Sequence, residues 1–438
     1  VTTTAGAVAP TAPGRDRYID VLRAAALVRV VTFHALGWAW LPLIFPSMGV
    51  MFALAGALAA GSLDRAASIG AFYRRRLRRL LLPFWLFGAV MVGIMLVRGW
   101  QVSLDDGSNP LTWRTAWFWV LPLSDPPASS QGYEWTAPLW YIRTYLWFVL
   151  LSPAVLWLFR RWPLRSGAVP VATMLLVSSG LLILEGRTSE IVIELCTYAG
   201  CWLLGIAHHD GALRRLPLAR TLAGGIALMA AGAWYASYHR EQYGASSIDN
   251  IPLANMLYCF GAVLLLLRLY PRVTWLGRVR PLDAVVGLLN QRAMTVYLWG
   301  NVAIAMAPLV LDRAGLGEYD TASTLSTWVR YGTAWALLFG IVLVAGWIED
   351  VAAGRDVRIL PGGLRASAPA VPGPAGAARK VIMVDNVVRE GSAPGLPPAP
   401  HSDPGVLLAE AIGQTGPSAG AGPVPGSPAL DAAAKATR

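Results

Sequence analysis

Three groups of residues have the types and spacing to do chemistry. The first is Asp20, Arg23, Arg29 and His34, all within one apolar run. Ionisable side chains are costly inside a membrane, and each is a functional hypothesis by default. At about 100° per residue Arg23 and His34 share one helix face, about 16 Å apart along the axis. Asp20 sits one turn before Arg23 and is placed to hold its guanidinium. Arg29 points elsewhere. His34 has two readings: a core residue hydrogen-bonded to a neighbouring helix, or a general base titrating near working pH.

The second group is the stretch Phe72-Tyr-Arg-Arg-Arg-Leu-Arg-Arg79, read as a loop, followed by Leu-Leu-Leu-Pro83-Phe-Trp85. Its bland reading is topology and attraction to anionic lipid. Its functional reading is a phosphate clamp. Arg76 and Arg79 lie one helical turn apart, and a planar guanidinium binds phosphate at two points. A phosphate-rich donor such as an acyl-CoA would fit. The third group is Glu134, Arg143, Glu190, Glu194 and Arg330, with Trp135 and Trp140, near the outer ends of apolar runs. Snorkelling charges explain it. So does a polar cavity for a sugar-like acceptor. Cys196, Cys201 and Cys259 have no metal-ligand spacing, and no metal site is expected.

The elements that must position these groups follow from composition. Hydrophobic residues make up 55% of the 438 and charged residues 14%, with mean hydropathy +0.50. Such a chain is dissolved mostly in lipid, which excludes disorder, a disulfide scaffold and an ordinary soluble enzyme. The net charge of +11 is then topology, and no nucleic-acid partner is expected. The fold class expected is an all-α integral membrane protein. A bilayer needs about 20 apolar residues per helix, and ten runs qualify: about 19–39, 45–62, 80–98, 138–159, 167–185, 190–208, 221–238, 251–270, 293–311 and 327–347. With the N-terminus inside, the outer segments hold only Arg98, Arg114, Arg187, Arg240 and Arg313, and the inner segments hold several times as many. That bias puts both termini in the cytoplasm.

No secretory signal is expected before the first run. Trp113, Trp117 and Trp119 in the outer segment 99–137 predict an interfacial helix. Residues 1–17 read as a cytoplasmic segment and 18–348 as the membrane domain. Residues 349–438, rich in Pro, Gly and Ala, read as a disordered cytoplasmic tail. Within the tail, Val381 to Val388 could pair as a strand or bind a partner.

Taken in order, these residues resemble the membrane acyltransferase-3 family. Tyr18-Ile-Asp-Val-Leu-Arg-Ala-Ala-Ala-Leu closed by Phe33-His34 is similar to its opening motif, an Arg, ten residues and a His. Gly49-Val-Met-Phe-Ala-Leu-Ala-Gly56 resembles its second-helix pattern, with Ala55 where Ser is common. Phe72 to Trp85 resembles its Arg-x-x-Arg segment and following proline. Leu139-Trp140-Tyr141 and Tyr297-Leu298-Trp299 resemble two later motifs.

The resemblance implies a multi-pass inner-membrane O-acyltransferase. Its donor would be a cytoplasmic acyl-CoA, usually acetyl-CoA, and its acceptor a hydroxyl of a surface glycan or glycolipid. It makes His34 catalytic, Arg23 its motif partner and Arg76 with Arg79 the donor-binding pair; Arg75 and Arg78 satisfy the same spacing. Many relatives carry a second His where this chain has Gly300, which leaves Trp299 and Asn301 on the acceptor side and His34 alone as base. The alternative is an exporter or flippase for a lipid or glycan, which ten spans and buried charges also fit, although no inverted repeat is visible. A lipid-surface anchor would explain the tail but not Arg23 and His34. Nothing in the sequence sets an oligomeric state.

Overall fold

The computed structural model describes residues 16–103, 107–244, 247–271, 273, 275, 278–316 and 324–359. The chain divides into Val1–Pro369 and Ala370–Arg438. The second unit, most of the expected N-terminal segment, and the tail beyond 359 with its Val381–Val388 run lie outside the described residues.

Among the described residues every regular element is helical and no strand forms. In chain order the α-helices are α1 (Arg17–Leu36), α2 (Leu41–Ile44), α3 (Ser47–Asp64), α4 (Ile69–Val97), α5 (Trp113–Ala116), α6 (Tyr133–Thr136), α7 (Leu139–Arg161) and α8 (Pro163–Ser178). They continue with α9 (Gly186–His209), α10 (Ala212–Arg215), α11 (Leu218–His239), α12 (Pro252–Leu269), α13 (Arg280–Gln291), α14 (Ala293–Arg313), α15 (Thr324–Ala345) and α16 (Trp347–Ala353).

Each of the ten expected apolar runs falls on a helix. Among the described residues, seven helical stretches are long and apolar enough to cross a membrane: α3, α4, α6 with α7, α9, α12, α14 and α15. The other three fall short of that measure. α1 carries Arg17, Asp20, Arg23 and Arg29. α8 has 16 residues. α11 dilutes its apolar residues with Gly, Ser and Tyr.

Local chemistry sets the ends that matter. The Asp16 side chain accepts from the Ile19 amide and starts α1. Gly37, at φ 65°, ends it in the left-handed conformation that glycine tolerates best. His34 therefore lies in the last turn of α1 rather than deep in a longer helix. The arginine stretch, expected as a loop, forms the first turns of α4. Ser68 caps that helix by accepting from the Ala71 amide at 3.1 Å, and Arg and Leu are good helix formers. Trp113 to Trp119 form α5 and a 3-10 turn, Trp117–Trp119. Trp113 is exposed, whereas Trp119 is buried against Phe84.

The core is aromatic at the crossing of α3, α7 and α9. Phe52 stacks on Tyr198 at 4.7 Å between centroids, and Phe148 stacks on Trp202 at 4.8 Å. Glycine brings α3 and α9 together. A Cβ on Gly205 would lie 1.9 Å from the Ala53 carbonyl oxygen, and one on Gly56 would lie 2.3 Å from that of Trp202. Small residues permit this close approach in membrane bundles. The C-terminal ends of α3, α7 and α9 are tied by Arg160, which pairs with Asp64 at 2.8 Å and Asp210 at 2.7 Å.

Candidate active site

At the end of the bundle where α1 and α4 begin lies a cavity of about 740 Å³. Arg23, Arg76 and Arg79 line it, as do Tyr141, Tyr145 and Tyr297. The helical period of α4 chooses among its arginines. Arg76 and Arg79 line the cavity, and Arg75 and Arg78 do not; Arg78 instead donates to the Val351 carbonyl at 2.7 Å. The hydrogen-bond partner of Arg23 is Asn290 Oδ1, at 3.4 Å. Asn290 in turn donates to the Asp20 carbonyl at 2.8 Å. Asp20 thus places Arg23 partly through its backbone, by way of a residue on α13 that sequence spacing did not reveal. Arg76 donates to the Tyr145 hydroxyl at 3.3 Å and lies over the Phe72 ring.

Glu349 is the carboxylate among these residues, and it is already engaged. It accepts from the Thr295 amide at 2.8 Å, the Thr295 hydroxyl at 2.6 Å and the Met294 amide at 3.4 Å. It therefore caps the N-terminus of α14, where negative charge is favoured. Burial nevertheless pushes its carboxyl up to about 7. The cavity is left strongly cationic.

A second cavity, of about 770 Å³, opens at the other end of the bundle, where α1 finishes and α7, α9 and α12 begin. His34 lines it. Among the described residues nothing hydrogen-bonds its ring nitrogens, and the ring lies edge-on to Phe33 at 5.7 Å. An imidazole so placed can accept a proton from a bound hydroxyl.

Opposite stands Arg143, only 1% exposed. It meets Asp125 at 2.5 Å, Glu194 at 2.7 Å and Glu190 at 3.2 Å. Thr144 hydrogen-bonds Glu194. Arg29 pairs with Asp249 at 3.2 Å and lies over the Phe33 ring. Burial raises the Asp249 carboxyl, against the pull of Arg29. Trp140 and Tyr198 add aromatic surface. The Ser124 hydroxyl and one Asp125 oxygen are buried without partners, as polar groups awaiting a polar ligand would be.

Tyr297 lines both cavities. Its hydroxyl donates to the Pro138 carbonyl at 2.7 Å, and its ring lies 4.9 Å from that of Tyr141. One tyrosine on α14 thus marks where the cationic chamber and the histidine chamber meet.

Of the residues expected on the acceptor side, Trp140, Arg143 and Glu194 line the second cavity, together with Glu190. Glu134, Trp299, Asn301 and Arg330 do not. The Glu134 carbonyl accepts from Asn301 at 3.2 Å, joining α6 to α14. Trp299 packs edge-on to Phe87 at 5.3 Å. Arg330 sits by Leu311 and Asp312, beside a separate recess. For these four, nearness to a helix end did not mean facing the cavity. Gly300 faces α1, where an added Cβ would stand 3.5 Å from Val31. Asp125, Asp249 and Asn290 were not singled out as site residues from sequence, and Tyr297 entered only as part of the Tyr297-Leu298-Trp299 motif, without a role. Arg29, flagged as a charge inside a span, needed Asp249 to explain it.

Over residues 16–348 the chain matches the family model described as an acyltransferase domain. No curated protein and no solved structure matches it. The match covers well over half the chain and spans every helix that builds the two cavities except part of α16. The chain therefore belongs to the membrane acyltransferase-3 family.

Proposed function

We propose that this multi-pass membrane acyltransferase moves an acyl group, acetyl in the simplest case, from cytoplasmic acyl-CoA to a hydroxyl of a cell-surface glycan or glycolipid. The observation that carries the reading is Tyr297, shared by a chamber suited to phosphates and a chamber suited to a polar acceptor. In this reading α1, α8 and α11 cross the membrane with the seven more apolar stretches. The arginine-rich end and both termini are then cytoplasmic, and the membrane is the inner or plasma membrane.

Phosphates of the donor rest on Arg76 and Arg79, and the pantetheine arm runs past Arg23 toward Tyr297. The acceptor lies against Trp140, between His34 and the Arg143 carboxylate group. His34 takes the proton of the acceptor hydroxyl as its oxygen attacks the thioester carbonyl. The new C–O bond forms, the C–S bond breaks, and the departing thiolate is protonated to give free CoA.

An exporter or flippase would also use polar chambers at both ends. The two readings separate in one assay. Membranes holding the protein receive acyl-CoA labelled in the acyl group. Labelled acceptor and stoichiometric free CoA are expected; acceptor movement with the thioester left intact would refute acyl transfer.

A further inference from the structure

The segment that follows the last long helix folds back over the arginine-rich chamber. Read from sequence, residues past 348 belonged to a structureless tail. Instead, Trp347–Ala353 forms α16, which packs on α4, and Arg355 and Arg358 line the chamber with Arg23, Arg76 and Arg79.

The fold-back is built, not draped. Arg292, fully buried between α13 and α14, donates to the Gly346 carbonyl and Asp350 carboxylate at 2.8 and 2.7 Å, and also to the Arg358 carbonyl. Asp350 closes the ring by accepting from the Arg358 amide at 3.1 Å. A buried guanidinium held through both terminal nitrogens keeps one geometry, because losing the Asp350 partner strands a charge. Gly354, at φ 66°, turns the chain out of α16.

The charges do not cancel. Glu349 is engaged by α14, and Asp350 by Arg292 and Arg355. Arg79 and Arg358 form no ion pair among the described residues. Arg355 is 46% exposed and Arg358 is also exposed, so this pair stands toward the opening, whereas Arg23 is more enclosed.

We propose that Arg355 and Arg358 bind the donor's outermost phosphate. For acyl-CoA, the donor class of the reading above on which this inference rests, that is the ribose 3′-phosphate, furthest from the thioester. Arg76 and Arg79 then take the diphosphate. The strap makes the donor site a joint product of both ends of the membrane domain.

The test uses the full-length protein in detergent, with CoA and 3′-dephospho-CoA as probes, and measures direct binding besides turnover. The Arg355→Ala/Arg358→Ala variant should weaken CoA binding by roughly tenfold to a hundredfold, the size expected for lost charged hydrogen bonds. Its KM for the acyl-CoA should rise with kcat little changed. It should also bind CoA and 3′-dephospho-CoA about equally, whereas the unaltered protein prefers CoA. Arg74→Ala removes a cation from the same arginine run of α4 but not from the chamber lining, and should keep that preference. A variant that still prefers CoA as the unaltered protein does would overturn the strap assignment, as would an unaltered protein that binds no CoA. An unaltered protein that binds CoA, loses it on strap substitution, yet turns over no thioester leaves the strap standing and refutes the acyltransfer reading.

Discussion

Arg143 carries more of the second chamber than any other side chain. It bridges α7, α9 and the segment before α6 through three carboxylates, and it is nearly inaccessible. Stranding a fully buried charge costs about 3–5 kcal/mol. Here Glu190 is 60% exposed and Asp125 45% exposed toward the chamber, so solvent recovers part of that cost. Arg143→Met should therefore destabilise the protein by roughly 3 kcal/mol, at the low end. Unfolding in detergent measures it; a loss below roughly 1 kcal/mol would mean the carboxylates need no partner. At this scale the sequence was most legible where a charge interrupts an apolar run: Arg23, His34, Arg143 and Glu194 all stood out that way. Tyr297 and Asn290 did not, because an uncharged residue in a helix carries no such signal. Their roles come from contacts with α7 and α1 across the fold.

Among elements, two junctions are exposed to direct trial. The first is the α3–α9 crossing. Gly205→Ala puts a methyl into the Ala53 carbonyl, and overpacking of this kind costs about 1–3 kcal/mol. Because α3 lines both chambers and α9 brings Glu190 and Glu194, activity should fall along with the thermal midpoint. A normal midpoint would contradict the close approach.

The second junction is Glu349 at the start of α14. Its folded pKa of about 7 stands above the ordinary 4.5. A raised carboxyl stabilises the fold fully below its unfolded value, and that contribution is lost as pH rises through the folded one. Stability should thus decline between about pH 4.5 and 7, and Glu349→Gln should flatten this part of the profile. Thermal melts across that range, compared between the two proteins, provide the check; identical slopes would refute the assignment. Helix existence was readable from apolar runs alone. Helix ends were less so: the N-cap at Ser68 lengthened α4 through the arginines, and Gly37 shortened α1.

As a whole molecule, the protein places a cationic chamber and a mixed-charge, histidine-bearing chamber at opposite ends of one bundle, with Tyr297 between them. The Arg bias between loops already implies two unlike ends, since Lys and Arg concentrate in the loops on one side of a membrane. That α16 and the residues after it close over one end was hidden. They are a short charged run that leads straight into the Pro/Gly-rich stretch, and the buried Arg292 that anchors them lies far away in sequence. The central claim is that His34 serves transfer between the chambers and not the fold. It is tested most directly by adding acetyl-labelled CoA to membranes with equal amounts of the unaltered protein and of His34→Ala, and counting label in the acceptor. The substitution should leave protein level and CoA binding intact while cutting transfer by roughly a hundredfold or more. Transfer at the unaltered rate would show that the imidazole takes no part in the reaction.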